Sequence, residues 1–336
     1  MLRFLIIQTA FIGDVVLATG ILEKLHQHYP EAKIDFLLRK GNEGLLANHP
    51  YLNELLVWEK KAGKIKNLLH LLKTVRANRY DKVINVQRFS ATGLLTAFSG
   101  AKETIGYDKN PFSRLFTIKI PHKLSSSENP IHEIQRCNDL IAHFTDQQAF
   151  PPHLYPSRSD EQKVALYTEK PFIVVAPASV WFTKQYPASK WIAFLKRIPD
   201  NIMVYLIGAP GDETFAQLII SGSGHTMATS LCGQLNFLQS AALMKKALMN
   251  YVNDSAPMHF ASAVNAPTAA IYCSTVPSFG FGPLSTKAVV IEVQEPLTCR
   301  PCGIHGHAAC PEGHFNCAMH IKDEQLLNAL PKPDAL

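Results

Sequence analysis

Short apolar runs and helix-patterned stretches take turns along almost the whole chain, and that alternation admits few architectures. In the first half the apolar runs fall at 4–8, 34–38, 54–58 and 82–86, with 104–106 as a short edge. Helical patterns cover about 14–29, part of 59–82 and, after the polar stretch 125–130, about 131–145. Strands separated by helices imply a parallel sheet wrapped on both faces. The segment 150–159, with Pro151, Pro152 and Pro156, breaks the pattern and reads as a linker. The alternation then restarts, with strands at 172–176, 202–207, 250–252 and 268–273 and helices at 188–198, 213–221 and 237–247. A chain of 336 residues has room for two domains of roughly 150 residues each. The expected fold class is α/β, with two doubly wound Rossmann-like domains, 1–155 and 156–336. They share an architecture but no readable internal repeat.

Several function classes lose ground at once. No Gly-x-Gly-x-x-Gly joins the first strand and first helix of either half, and Gly222-Ser223-Gly224 follows a helix, as a C-cap does. There is no Gly-x-x-x-x-Gly-Lys-Ser/Thr. Dinucleotide redox chemistry and P-loop hydrolysis are therefore disfavoured. No apolar run approaches the roughly 20 residues of a spanning helix. The apolar N-terminus is interrupted by Asp14 and has no small-residue cleavage site, so it reads as a first strand, and the expected location is cytoplasmic.

The net charge of +6 is matched by one stretch. Between Glu59 and Lys82, Lys60, Lys61, Lys64, Lys66, Lys73, Arg76, Arg79 and Lys82 face only Glu59 and Asp81. Ile65, Leu68, Leu69, Leu72 and Val75 recur there at helical spacing, which predicts an amphipathic helix with one core face. A solvated basic face is the ordinary explanation. Its functional alternative is attraction to an acidic acceptor or an anionic membrane surface, worth about 1 kcal/mol per basic residue at most. Peripheral contact with a membrane follows from the second. Little aromatic interleaving accompanies the charge, so no nucleic-acid partner is expected.

The polar residues that could do chemistry gather at strand ends of the second half. They are Ser179-Val180-Trp181-Phe182-Thr183-Lys184, then Gly208 to Glu213, then Asn253-Asp254-Ser255 leading into Ala256-Pro257-Met258-His259, and finally Ser274 to Pro283. In open α/β sheets ligands bind at the carboxyl ends of strands. A strand that ends in Asp-Ser and turns into a helix at Ala-Pro leaves backbone N–H groups for an anion, with Asp254 or Ser255 available to cap them. Hydroxyls, a lysine, a carboxylate pair and a helix N-terminus are what a nucleoside diphosphate needs. In the first half Gln8 to Asp14 joins strand to helix. Asp14 is either a helix cap or a carboxylate facing an interdomain cleft, placed to accept a proton.

Thr-Ala-Phe-Ile-Gly-Asp-Val at 9–15, Ser-Val-Trp-Phe-Thr-Lys at 179–184, Asn-Asp-Ser-Ala-Pro-Met-His at 253–259 and Phe-Gly-Phe-Gly-Pro at 279–283 resemble glycosyltransferase family 9, the ADP-heptose:lipopolysaccharide heptosyltransferases. The resemblance runs nearly end to end. It implies a GT-B fold of two facing Rossmann-like domains, with the donor in the C-terminal one and the acceptor mainly in the N-terminal one. It implies metal-independent transfer of heptose from ADP-heptose to a lipopolysaccharide core, with inversion and no cofactor. By the same resemblance Asp14 matches the general base, and Lys184 with Ser179 and Thr183 matches the diphosphate loop. Asp212 matches the ribose-binding acid, with Glu213 as a rival. Asp254 and Ser255 match the donor loop, and His259 lies one turn into the helix after it.

Four of seven cysteines cluster as Cys299-x2-Cys302-x7-Cys310-x6-Cys317, with His305, His307, His314 and His320 interleaved or following. That spacing suits structural zinc or reduced thiols in a loop-rich tail. Catalysis by the resembling family needs no metal, so none is expected at the reaction centre. Cys137, Cys232 and Cys273 lie in apolar segments and are expected in the core. Three alternatives stand beside a heptosyltransferase. One is a GT-B transferase for another nucleotide sugar, and the second is a catalytically silent nucleotide-sugar-binding protein, against which Asp14 and Lys184 together argue. The third, a zinc-stabilised adaptor, leaves the strand-end motifs unexplained.

Overall fold

In the computed structural model, which describes residues 1–61, 63–126 and 128–331, strand β1 (Arg3–Ile7) is buried at every position from Phe4 onward. A strand with no exposed face needs cover on both sides, which a parallel sheet between helix layers supplies. Its partners are β2 (Lys33–Arg39), β3 (Glu54–Trp58), β4 (Lys82–Asn85), β5 (Glu103–Tyr107) and β6 (Ile118–Ile120). All pair parallel in the order β3-β2-β1-β4-β5-β6. Helices α1 (Ile12–His28), α2 (Lys64–Ala77), α3 (Ser90–Ala97) and α4 (Glu133–Asp139) complete the first compact unit, Met1–Tyr155. One core cluster joins Leu5, Ile7, Leu37, Trp58 and Val83 to Leu71 and Val75 of α2 and Leu95 of α3.

The return segment of this unit is pinned to α1 in two ways. An added Cβ at Gly20 would sit 2.5 Å from the Phe150 carbonyl oxygen, so only glycine lets that backbone approach. One turn later, the Lys24 side chain is 1% exposed. Its ammonium donates to Asn138 Oδ1 at 2.8 Å and to Asp146 O, Asp146 Oδ1 and Gln148 O, each at 2.6 Å. A buried cation is tolerable only with that degree of satisfaction.

The second unit, from Pro156 onward, repeats the plan. After α5 (Arg158–Val164), β7 (Phe172–Ala176) is buried at all five positions. Then come α6 (Ala188–Leu195), β8 (Met203–Leu206), α7 (Glu213–Ser223), β9 (Ala228–Ser230) and α8 (Phe237–Lys246). They are followed by β10 (Asn250–Asn253), α9 (Ala256–Ala263), β11 (Thr268–Tyr272) and β12 (Ala288–Glu292), with α10 (Asn316–Met319) and α11 (Asp323–Ala329) last. The sheet is parallel, in the order β12-β11-β10-β7-β8-β9. Counted from its own first strand, this is the strand order of the first unit. Each sheet therefore has one switch point, between β1 and β4 and between β7 and β10, where the crossovers diverge to opposite sides.

The doubly wound parallel α/β architecture is as expected, with local differences. Strand β5 lies inside its sheet, because β6 pairs outside it. The edge strands β9 and β12 and the helix α3 were not read from the sequence. Helix α4 is half the expected length. Helix α5 occupies part of the expected linker, started by Ser157, whose hydroxyl accepts from Asp160 N while Asp160 reaches back to Ser157 N. In α2, Val75 is buried and Leu68 and Leu72 pack on the core, but Ile65 is 73% and Leu69 57% exposed. Those two sit at the edge of the apolar arc, whose centre is held by Leu71 and Val75. Residues 332–336, the end of the expected second domain, lie outside the described residues. No helix among the described residues is long and apolar enough to cross a membrane.

Candidate functional site

The C-terminal ends of β7 and β10 lie side by side, with Ala176 paired to Val252. Asn253 closes β10 and holds the loop after β7. Its amide donates to Pro177 O at 2.8 Å, and its Oδ1 accepts from Tyr186 N at 3.0 Å. The loop thereby returns Lys184 over the β10 end, where its ammonium meets Asp254 Oδ2 at 2.7 Å. The same oxygen accepts from Thr275 Oγ1 at 2.7 Å. Side-chain exposure is 16% for Lys184 and 9% for Asp254, so the pair is largely shielded but reachable. Two residues expected at one site are thus in direct contact, and Thr275, from the fourth polar strand end, completes the chain.

Helix α9 starts at the same switch point. Its cap residue Ser255 makes no side-chain capping bond, and its hydroxyl donates only to Asn253 O, at 3.4 Å. The expectation that Asp254 or Ser255 caps α9 is corrected: Asp254 is turned toward Lys184 and Thr275 instead. Pro257 has no N–H and Met258 N donates to Ser255 O at 3.1 Å, so the donors left at the start of α9 for an external anion are Ser255 N and Ala256 N. His259, one turn in, is buried, its ring edge-on to Phe281 at 6.3 Å.

Beyond β8, Asp212 and Glu213 divide their work. Asp212 Oδ2 accepts from Ala209 N at 2.7 Å. Glu213 accepts from Ser230 Oγ with one oxygen and from Gln217 Nε2 at 2.9 Å with the other, which holds its carboxyl below the usual range. The ends of β8, β7 and β10 are consecutive in the sheet. At roughly 4.8 Å per strand they span about 10 Å, the scale of a nucleoside diphosphate.

Ser179 and Thr183 fare differently. Ser179 is half-buried, its N–H held by Gln185 Oε1 at 3.1 Å. Thr183 is 1% exposed, and its hydroxyl oxygen accepts from His307 N at 2.7 Å and from Ser274 Oγ at 3.0 Å. It is engaged inside the protein, directly beneath Lys184. The cysteine-rich segment supplies that contact. Cys299, Cys302, Cys310 and Cys317 line one small cavity with Thr183 and Ser274, all as free thiols. Burial and the neighbouring thiols push Cys317 up to about 11. Among the described residues, no group of three or more His, Cys, Asp or Glu side chains is arranged to hold a metal ion. Cys137, Cys232 and Cys273 are buried.

In the first unit, Asp14 lies in the first turn of α1, and its Oδ2 accepts from Phe11 N at 3.0 Å. It is half-buried at the positive end of the helix, where a carboxylate is favoured. Leu17, Gly20 and Ile21 of α1 pack against Ile134, Cys137 and Asn138 of α4, which carries Glu133 toward the Asp14 end. Glu133 is paired with Arg136, Nε to Oε2 at 2.6 Å. Burial raises its carboxyl, Arg136 opposes that, and the charge of Asp14 adds to the rise. Sequence reading missed this pair, although a Glu and an Arg three apart at a helix start were a usable signal. Lys60, expected only as part of the basic stretch 59–82, lies 4.2 Å from the Trp58 ring centre and donates to Thr9 Oγ1 at 3.0 Å, beside the end of β1. Burial and the charges of Arg39 and Lys64 lower its ammonium.

The model of glycosyltransferase family 9 (heptosyltransferase) matches residues 68–307, a span that contains the three C-terminal motifs but not 9–15. The chain is 27% identical over 281 residues to lipopolysaccharide heptosyltransferase 3 of Escherichia coli, covering 79% of this chain and 82% of that one. Among solved structures, E. coli ADP-heptose lipopolysaccharide heptosyltransferase II superposes with a TM-score of 0.78 at 22% identity, covering 98% of this chain and 97% of that one. A family 9 glycosyltransferase from Veillonella parvula gives 0.83 at 21%, covering 97% and 95%. At those identities the structures establish a shared fold.

Proposed function

The chain belongs to glycosyltransferase family 9, and on that premise we propose that it moves heptose from ADP-heptose onto the inner core of a lipopolysaccharide precursor with inversion at the sugar carbon. The observation that carries the donor assignment is the Lys184–Asp254 pair set between two adjacent strand ends and the N-terminus of α9. ADP leaves as an anion. A lysine cation at 4 Å contributes roughly 4 kcal/mol of Coulomb attraction at an effective dielectric of 20, before desolvation is subtracted. The N–H groups of Ser255 and Ala256 at the start of α9 add donors for the charge. Asp254, itself held by Thr275, keeps the long lysine side chain in place before the donor arrives, so less conformational freedom is lost on binding. A diphosphate then shares the ammonium with Asp254.

The remaining roles follow from which polar atoms are already committed. Ser255 offers the phosphates a cap hydroxyl held only by a long 3.4 Å bond to Asn253 O, and Ser179 lies on the same loop as Lys184. Asp212 suits the ribose diol better than Glu213, both of whose carboxylate oxygens are engaged. His259 backs the α9 turn. Asp14 takes the proton of the acceptor hydroxyl, a contribution of about 10² to 10⁴ in rate for a positioned base. Charge on the leaving group is carried by Lys184 and α9, so the step requires no divalent ion.

The lipid-borne acceptor gives the basic α2 a partner. Lys64, Lys66, Lys73 and Arg76 share that helix with exposed Ile65 and Leu69, and the helix has no acidic residue. Peripheral contact with an anionic membrane surface suits that composition. One experiment tests the central assignment. Transfer is assayed with ADP-heptose and a core acceptor in excess chelator, beside thermal shifts with ADP and UDP at equal concentration. ADP should stabilise the protein more than UDP, because only a bound ligand raises stability by mass action. Equal shifts, or activity that needs Mg²⁺, would overturn the ADP or the metal-free assignment respectively.

A further inference from the structure

Residues 300–307 run from the end of β11 to the loop that carries Lys184, and each contact along the way is a specific one. Arg300 donates to Cys273 O at 2.8 Å, to Thr275 O at 2.8 Å and to Glu292 Oε2 at 2.6 Å. Two residues on, Cys302 N donates to Ser274 O at 2.8 Å. The segment then reaches Thr183. His307 N donates to Thr183 Oγ1 at 2.7 Å, and Thr183 N donates to His307 O at 3.1 Å. Ser274 N closes the square on Thr183 O at 3.2 Å. The loops holding Thr275 and Lys184, the two residues that bracket Asp254, are thereby tied to each other through one segment.

Gly306 is the point of closest approach. Its φ is +79°, and a Cβ built there would lie 2.9 Å from Lys184 Cγ, 3.1 Å from Thr183 Oγ1 and 3.2 Å from Trp181 Cβ. Any side chain at 306 would therefore push on the stem of Lys184. By contrast Gly313, in the same cysteine-rich segment with φ +72°, has nothing within 4 Å of its would-be Cβ. The two glycines share the backbone constraint that favours glycine and differ only in what they press against.

We propose that residues 300–307 form a clasp that sets the position of the Lys184 ammonium, with Gly306 as the residue that lets it close and Thr183 as the catch. Both are positioning residues that act through Lys184. This rests on the assignment of Lys184 to the donor diphosphate. It gives the cysteine-rich segment a role in donor affinity that its thiols need not perform themselves.

The test compares Gly306→Ala with Gly313→Ala, and Thr183→Val with Thr183→Ser, in the full chain. Melting temperature, ADP affinity by calorimetry, and separate KM values for donor and acceptor are measured. Losing one well-placed charge-assisted contact costs roughly tenfold in affinity. Gly306→Ala and Thr183→Val should raise the ADP Kd and donor KM by about that factor and leave the acceptor KM unchanged. Gly313→Ala, which carries the same backbone strain, and Thr183→Ser should keep ADP Kd and donor KM near wild type. A folded Gly306→Ala with wild-type ADP affinity overturns the clasp, as does a Gly313→Ala that weakens ADP equally. If the wild-type chain binds no ADP, the donor assignment fails instead, and a crystal structure of Gly306→Ala decides the clasp. Lys184 displaced from Asp254 upholds it, and an intact pair removes it.

Discussion

Asp14→Asn separates a base from a helix cap, because the geometry lets the amide do one job and not the other. In the wild type Asp14 Oδ2 accepts from Phe11 N at 3.0 Å. Asp14 is the third helical residue and Phe11 the N-cap, and an asparagine Oδ1 can take the same bond from Phe11 N. The charge removed sits in the first turn of α1, where a carboxylate is worth about 0.3–1 kcal/mol. Part of that loss is returned, since Asp14 and Glu133 repel across the α1–α4 contact. The net change should stay under about 1 kcal/mol, or roughly 2–4 °C in melting temperature. Donor affinity should survive, because every proposed donor contact lies in the second unit. The turnover rate should fall by about 10² or more, equivalent to about 2.7 kcal/mol of transition-state stabilisation. Asp14→Ala is the companion, expected to show the same loss of kcat with a further stability cost of about 1 kcal/mol from the lost bond to Phe11 N. The assay is kcat with saturating donor, ADP calorimetry and a melting curve for each variant. An Asp14→Asn enzyme that is stable, binds ADP and turns over near the wild-type rate refutes the assignment of the base.

Lys184→Ala should behave otherwise, weakening ADP binding as well as turnover. It strands a shielded Asp254, so chemical denaturation should show a stability loss of about 3 kcal/mol, which Lys184→Arg largely avoids. Replacing Ile65 and Leu69 together by Glu should abolish co-sedimentation with phosphatidylglycerol vesicles, with little change in melting temperature because both side chains face solvent. Equal binding by the variant, or equal binding to neutral vesicles, would refute a docking role for α2. Asp146 is held at about 2, against an ordinary 3.8, by its bond to Lys24, so its folded form binds protons less readily than the unfolded chain. Its contribution is present above about pH 4 and is lost as pH falls toward 2. Lys24→Met should flatten that limb of an acid titration, and an unchanged limb would sink the linkage.

What could be read from the chain, and what could not, divides along sequence distance. Strands such as β1 and β7 announce themselves as unbroken apolar runs because both of their faces are covered. Edge strands do not. Three positions of β12 are exposed, and β9 has only three residues, so neither carries a local signal. The candidate site was legible as types of residue at strand ends, since a parallel sheet always gathers those ends. The partner of each was not. Thr183 looked like a phosphate ligand because its neighbour is Lys184, yet its hydroxyl answers to His307, 124 residues away. Asp254 looked like a helix cap because a helix follows it, and it turned toward a lysine brought from another strand end. Short-range pattern identifies candidates, and the crossovers of the sheet decide their partners.

The long reach of the 300–307 segment also fixes an order of events at the ribosome. Lys184 emerges well before His307, and translation at about 5–20 residues per second leaves a gap on the order of ten seconds. In that interval β7 and β8 can pair and their helices can pack, but the catch on Thr183 does not yet exist. A nascent chain can therefore build most of its second sheet without owning a finished nucleotide pocket. Competence for the donor arrives late and all together, with the strand ends already in place and one short stretch of backbone left to lay across them.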